Sequence, residues 1–141
     1  MDAAQDHGKD TDHMIFDTHA HYDDEQFDTD REELLERMAA GGVGTIVNAS
    51  AAVESWDKVL ELTEKYPFIY GMIGVHPDEV GALDEEKFSR MEELLGREKI
   101  VAAGEIGLDY YWDKEGHDLQ KYWFIPVSYT HLRAHETGRN L

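Results

Sequence analysis

The chain has 141 residues, 41% of them hydrophobic, enough for one domain with a real core. It contains no cysteine, which excludes a disulfide framework and thiolate metal sites. A net charge of -18 argues against a broad electrostatic hold on nucleic acid, which needs a basic footprint, although a bound divalent cation reverses the sign of the local field.

Met1–His13 is polar and acidic with no periodic apolar partner, and is expected to be a disordered N-terminal extension. It lacks the basic-then-apolar pattern of a signal peptide, and no apolar run nears the roughly 20 residues of a membrane span. A cytoplasmic protein without membrane contact is the default. Met14, directly before the first apolar run, is a candidate start codon.

The first strand is read at Met14–Asp17. A helix over 29–40 follows, with Thr29 and Glu32 as a capping box, Leu34, Leu35 and Met38 as its apolar stripe, and Gly41-Gly42 as its stop. Thr45–Ser50 reads as the second strand. The next helix spans 53–65, with Trp56, Val59, Leu60 and Thr63 on one face and Pro67 beyond its end. A strand over 69–75, a helix over 85–95 with Phe88, Met91, Leu94 and Leu95 inward and Gly96 as stop, and a strand over 100–105 complete four repeats. The strands end at intervals of about 28 residues, the length of one strand–helix unit in a parallel α/β fold. Their apolar runs alternate little, as when both faces are buried, and the order implies right-handed crossovers.

A fourth helix is expected from about Asp118, through Leu119, Tyr122 and Trp123, to a stop at Pro126. Beyond it the sequence loses its period. Val127–Leu132 is one reading frame of the transposon end used to prepare sequencing libraries, and Arg133–Thr137 continues in frame through the adjoining primer site. Residues 126–141 are therefore read as a non-native tail of translated adapter. His131 and His135, despite an i, i+4 spacing that suits a helical metal pair, are then not ligands.

Chemistry-bearing residues gather at the strand ends. Asp17-Thr18-His19-Ala20-His21 places two imidazoles on one side of a strand, able to face one metal; the bland alternative is a solvated loop with two incidental histidines. Glu105, within Gly104-Glu105-Ile106-Gly107, closes a buried strand, where a carboxylate needs a metal, a cation or backbone amides. His76, in Gly74-Val75-His76-Pro77, and Asp109 lie at the same rim and either ligate, orient a ligand, contact substrate phosphate or shape the loop. Asp17 is a candidate to fix a histidine tautomer. Tyr22, Tyr110, Tyr111 and Trp112 are candidates to stack on bases, with packing as the alternative. Asp23, Asp24 and Glu25 read as a solvated loop.

These three motifs, with Glu105-Ile106-Gly107-Leu108-Asp109-Tyr110-Tyr111 the most specific, resemble those of the TatD-related metal-dependent deoxyribonucleases, over about Met14 to Ile125. The resemblance implies a (β/α)8 TIM barrel that binds one or two divalent ions (Zn, Mg or Mn) and cleaves phosphodiester bonds of DNA, in some members also RNA. It implies that His19 and His21 hold the first metal and that Glu105 bridges to a second. His76 and Asp109 match recurrent rim positions whose roles stay open.

The family pattern carries two more histidines and an aspartate, the expected base, on later strands. A whole barrel needs roughly 225–260 residues. Residues 14–125 are thus read as the N-terminal half of a barrel, truncated after about four β/α units and inactive as given. Four parallel strands leave open edges and an apolar face that invites association. No protein partner is inferable. The alternative is an amidohydrolase-type barrel acting on amide, ester or phosphotriester bonds, since such enzymes also open with His-x-His.

Overall fold

A computed structural model describes residues 14–134, with side-chain surroundings through Thr130. The expectation for Met1–His13 falls outside the described residues, as does His135.

The elements are β1 (Ile15–Ala20), α1 (Arg31–Ala40), β2 (Val43–Ala49), α2 (Trp56–Lys65), β3 (Ile69–Ile73), α3 (Glu85–Leu95), β4 (Ile100–Ala103) and α4 (His117–Ala134). The strands form one sheet in the order β1-β2-β3-β4, with every pair parallel. Register places Ala20 opposite Asn48, Ala49 opposite Met72, and Ile73 opposite Ala103. The C-terminal ends of all four strands therefore open on one rim. This is the first half of a (β/α)8 barrel, whose sites are built on that rim.

The helices bury the faces that their periodicity marks. Trp56 and Val59 are fully buried on α2, and Met91 on α3. They join Ile73, Val75 and Trp123 in the larger core cluster. A second cluster packs Leu35 of α1 and Leu62 of α2 on Ile46 and Ile69. Leu62, almost fully buried, was not part of the face read from the sequence. α3 has the expected bounds, Glu85–Leu95, with Gly96 as its C-cap and Asp84 accepting from the Lys87 N–H as its N-cap.

Several boundaries shift by two or three residues from the sequence reading, and some bear on the site. β1 runs to Ala20 rather than Asp17, so His19 lies within the strand. β4 ends at Ala103, which leaves Glu105 just past it. α1 starts at Arg31, and the Thr29/Glu32 capping box does not form. Glu32 pairs instead with Lys65 of α2, while Arg31 donates to the Asp24 carbonyl and the Asp28 carboxylate and holds residues 28–30 in a turn. Gly42, at φ 98°, ends α1 as expected.

The largest difference is α4, which continues through Pro126 to Ala134. A proline inside a helix costs about 3 kcal/mol or more, and here packing offsets it. Val127 is 3% exposed and joins Trp123, Val75 and Val80 in the core. Ser128 Oγ donates to the Phe124 carbonyl at 2.8 Å, and Thr130 Oγ1 to Glu92 at 3.0 Å.

β1 is an edge strand. Ile15 and Phe16, on opposite faces of it, are 57% and 60% exposed. No helix among the described residues is long and apolar enough to cross a membrane.

Candidate metal centre

At the rim, His19 from β1, His21 just after it and Glu105 just after β4 converge. One ligand atom from each lies within 4.8 Å of the others. His19 Nε2 is 2.9 Å from Glu105 Oε1 and 3.1 Å from His21 Nε2, and His21 Nε2 is 3.9 Å from the same carboxylate oxygen. These separations bracket the edge of a tetrahedral site with 2.0–2.1 Å bonds, about 3.3 Å.

The second ring nitrogen of His21 decides its tautomer. Nδ1 donates to the Ala49 carbonyl at 3.0 Å, so Nε2 of the neutral ring carries a lone pair toward His19 and Glu105. Two imidazoles and a carboxylate in this arrangement form a donor set that suits zinc and similar divalent ions.

Asp17 does not touch a histidine ring. Its Oδ1 accepts from the His19 backbone N–H at 3.1 Å, while the His21 ring is bonded by the Ala49 carbonyl, which the sequence cannot display. His76 lines the same cleft of about 680 Å³ as His19 and Glu105 but stands outside the three-residue cluster. Its Nδ1 accepts from the Asp78 N–H at 3.3 Å and caps the short turn that starts at Pro77. Asp109 also lines the cleft, with Oδ1 accepting from the N–H groups of Tyr111 and Trp112 at 2.8 and 3.1 Å.

Two polar residues without a role in the sequence reading, Asn48 and Ser50, hold the site together. Asn48, fully buried, accepts from the Tyr22 N–H at 2.6 Å and donates to Asp23 at 2.7 Å, which ties down the loop after His21. Asp23 is thus bound within the fold rather than simply solvated. Burial, with the Asp17 charge second, pushes the Tyr22 phenol above its ordinary pKa; its ring packs on Phe27, 5.6 Å between centroids.

Ser50, also fully buried, accepts from the Gly74 N–H at 2.9 Å through Oγ and donates to the Gly74 carbonyl at 3.0 Å. Its own carbonyl accepts from the Glu105 N–H at 2.9 Å. Trp56 Nε1 donates to the Gly74 carbonyl at 2.9 Å. A polar residue inside an otherwise apolar strand was the available signal for both Asn48 and Ser50, because buried polar groups are there to be hydrogen-bonded.

Ser50→Ala leaves the buried Gly74 N–H unpaired. The expected loss is about 1–3 kcal/mol of stability, read as a lower urea midpoint with an unchanged m-value. A midpoint equal to wild type would show that another group accepts from Gly74.

The sequence matches the family of TatD related DNases over residues 16–128. It is 46% identical over 108 residues to an uncharacterized metal-dependent hydrolase of Bacillus subtilis, YabD, covering 77% of this chain and 42% of that protein. It is 31% identical over 96 residues to a protein named 3'-5' ssDNA/RNA exonuclease TatD from Cronobacter sakazakii, covering 68% of this chain and 36% of that one. The crystal structure of YjjV, a TatD homolog from Escherichia coli K12, superposes with a TM-score of 0.77 at 32% identity, over 85% of this chain and 47% of YjjV. The chain spans less than half the length of each of these relatives. Because the match takes in every strand and all three motifs of the rim, the chain belongs to the TatD-related DNase family.

Proposed function

We propose that the whole protein is a metal-dependent nuclease that hydrolyses phosphodiester bonds of DNA, with RNA as a further substrate, and works in the cytoplasm. The observation that carries this reading is the convergence of His19, His21 and Glu105 within 4.8 Å at the strand ends. The relative named as a single-strand DNA and RNA exonuclease supports the substrate class.

In this reading His19, His21 and Glu105 would hold one divalent ion, and Glu105 would also serve a second. When bound, such an ion would polarise phosphoryl oxygens and make a water far more acidic than it is in bulk. The rest falls to the chain. The Ala49 carbonyl keeps the His21 lone pair aimed at the site. The Ser50 carbonyl fixes the backbone of Glu105. His76 and Asp109 border the cleft where the scissile phosphate sits.

The base that takes the proton from water is assigned to the half of the barrel outside these residues, so the 141-residue chain alone is inactive. Residues 126–141 are assigned to translated adapter.

One experiment tests these assignments together. The source locus is amplified through codon 125, and the whole protein is expressed beside the 141-residue chain. Both are stripped with EDTA, reloaded with Zn, Mg or Mn, and given single-stranded DNA, duplex DNA and RNA. The expected result is metal-dependent cleavage by the whole protein, none by the shorter chain, and a native codon sequence that departs from Val127 onward. Hydrolysis of ester, amide or phosphotriester substrates with no cleavage of nucleic acid would move the assignment to the amidohydrolase type.

A further inference from the structure

The loop after β4 carries a feature that the metal centre does not use. Tyr111 and Trp112 are 74% and 75% exposed, with ring centroids 4.7 Å apart and planes at 89°. Exposed aromatic rings usually lie on mobile chain, but these are held. Asp109 Oδ1 accepts from both of their N–H groups. Asp109 itself is clamped by the fully buried Gln120, which accepts from the Asp109 N–H at 2.8 Å and donates to its carbonyl at 2.9 Å. Tyr110, the neighbour on the other side, is already occupied: it stacks on His117 at 3.9 Å between centroids. The two exposed rings are therefore displayed from a backbone turn that is already ordered by hydrogen bonds.

Their position supplies the ligand. Tyr111 lines the cleft that holds His19 and Glu105. It also lines a second, adjoining hollow of about 420 Å³ with Tyr110, Trp112 and Lys114. The hollow lined by these rings and Lys114 thus adjoins the cleft of the metal centre through Tyr110 and Tyr111. The chain carries a net charge of -18, so phosphate contacts cannot supply most of the hold on a polyanion. Flat aromatic faces supply it without charge, and every base offers a π-face.

We propose that Tyr111 and Trp112 form a stacking platform for unpaired nucleobases next to the scissile phosphate. This inference rests on the nuclease reading above. Tyr111 and Trp112 are positioning residues in it: they hold the strand and touch no reacting atom.

The test is binding, measured by anisotropy of a fluorescein-labelled oligo-dT on the full chain in EDTA, where no cleavage occurs. An abasic oligonucleotide of the same length keeps the phosphates and removes the bases. Expected are a Kd at least about tenfold weaker for the abasic strand, a similar loss for Tyr111→Ala and for Trp112→Ala, recovery in Tyr111→Phe and Trp112→Phe, and a shallow salt dependence. Both side chains are exposed, so none of these variants removes core packing. Equal affinity for the abasic strand, or Ala variants that bind like wild type, would overturn the platform. The nuclease reading survives that result if the metal-loaded whole protein still cleaves the same oligonucleotide. Failure both to bind and to cleave would end the nuclease reading and the platform with it.

Discussion

In the whole protein, Glu105→Ala and His19→Ala are each expected to abolish metal-dependent turnover and to weaken divalent-ion binding by more than about a hundredfold. The scale follows from the ligand geometry. Mutating a group that merely orients a metal ligand typically costs 10–100-fold in affinity or activity, and these substitutions remove the donor atoms themselves. Glu105 Oε1 stands 2.9 Å from His19 Nε2 and 3.9 Å from His21 Nε2, so its loss leaves two imidazoles with no anion to balance a divalent charge. Neither side chain is buried core: His19 is 47% exposed and Glu105 24%. Stability should therefore change little. Calorimetric titration of the EDTA-stripped variants with Zn, Mg and Mn, alongside thermal unfolding, separates the two effects. Wild-type affinity and rate in either variant would remove Glu105 or His19 from the ligand set.

Gly74→Ala is expected to damage the same centre from a position that touches none of its ligand atoms. A Cβ built on Gly74 falls 2.4 Å from the Glu105 carbonyl oxygen, 2.5 Å from the Gly104 carbonyl carbon and 2.8 Å from Gly104 Cα. All three are backbone atoms, so no side chain can rotate out of the way. Either β3 or the segment that carries Glu105 must retreat. The Gly74 N–H and carbonyl are both bonded to Ser50, and the carbonyl also to Trp56. Gly104 and Glu105 are in turn bonded to the Ile73 and Ser50 carbonyls, so the strain is shared and any relief shifts the backbone that carries Glu105. A displacement of about 1 Å at a reacting centre can cost about a hundredfold in rate. The expected signature is a drop of that order in kcat/KM and weaker metal binding, with a smaller loss of Tm than a core truncation gives. Normal metal affinity in Gly74→Ala would mean that the tight approach of β3 and the Glu105 segment does not position the ligand.

How much of this was legible in the chain depends on where each signal lives. The four β/α repeats were readable because helix and strand periods are written in side chains, and α3 matches to the residue. His19, His21 and Glu105 were readable because strand ends collect them on one rim. The links between them were not. The tautomer of His21 is set by the main-chain oxygen of Ala49, which no residue letter encodes. Gly74 appeared within a motif, but its reason, contact with a strand about 30 residues further along in the repeat, exists only once β3 and β4 pair. The capping box over Thr29 and Glu32 failed for the same kind of reason, because Lys65 on another helix competes for Glu32. Pro126 predicted a stop from local stereochemistry, and burial of Val127 outweighed it.

The bond from His21 Nδ1 to the Ala49 carbonyl has a consequence for how this centre can change over evolutionary time. Every amino acid presents the same oxygen there. Codon 49 can drift among residues small enough for a fully buried site without altering the proton on His21. A carboxylate in that role would be one base change from loss. Here the orientation is inherited with the pairing of β1 and β2, and a slip in register would destroy it where substitutions do not. A comparison of sequences alone would score position 49 as small and apolar, and would not mark it as part of the chemistry.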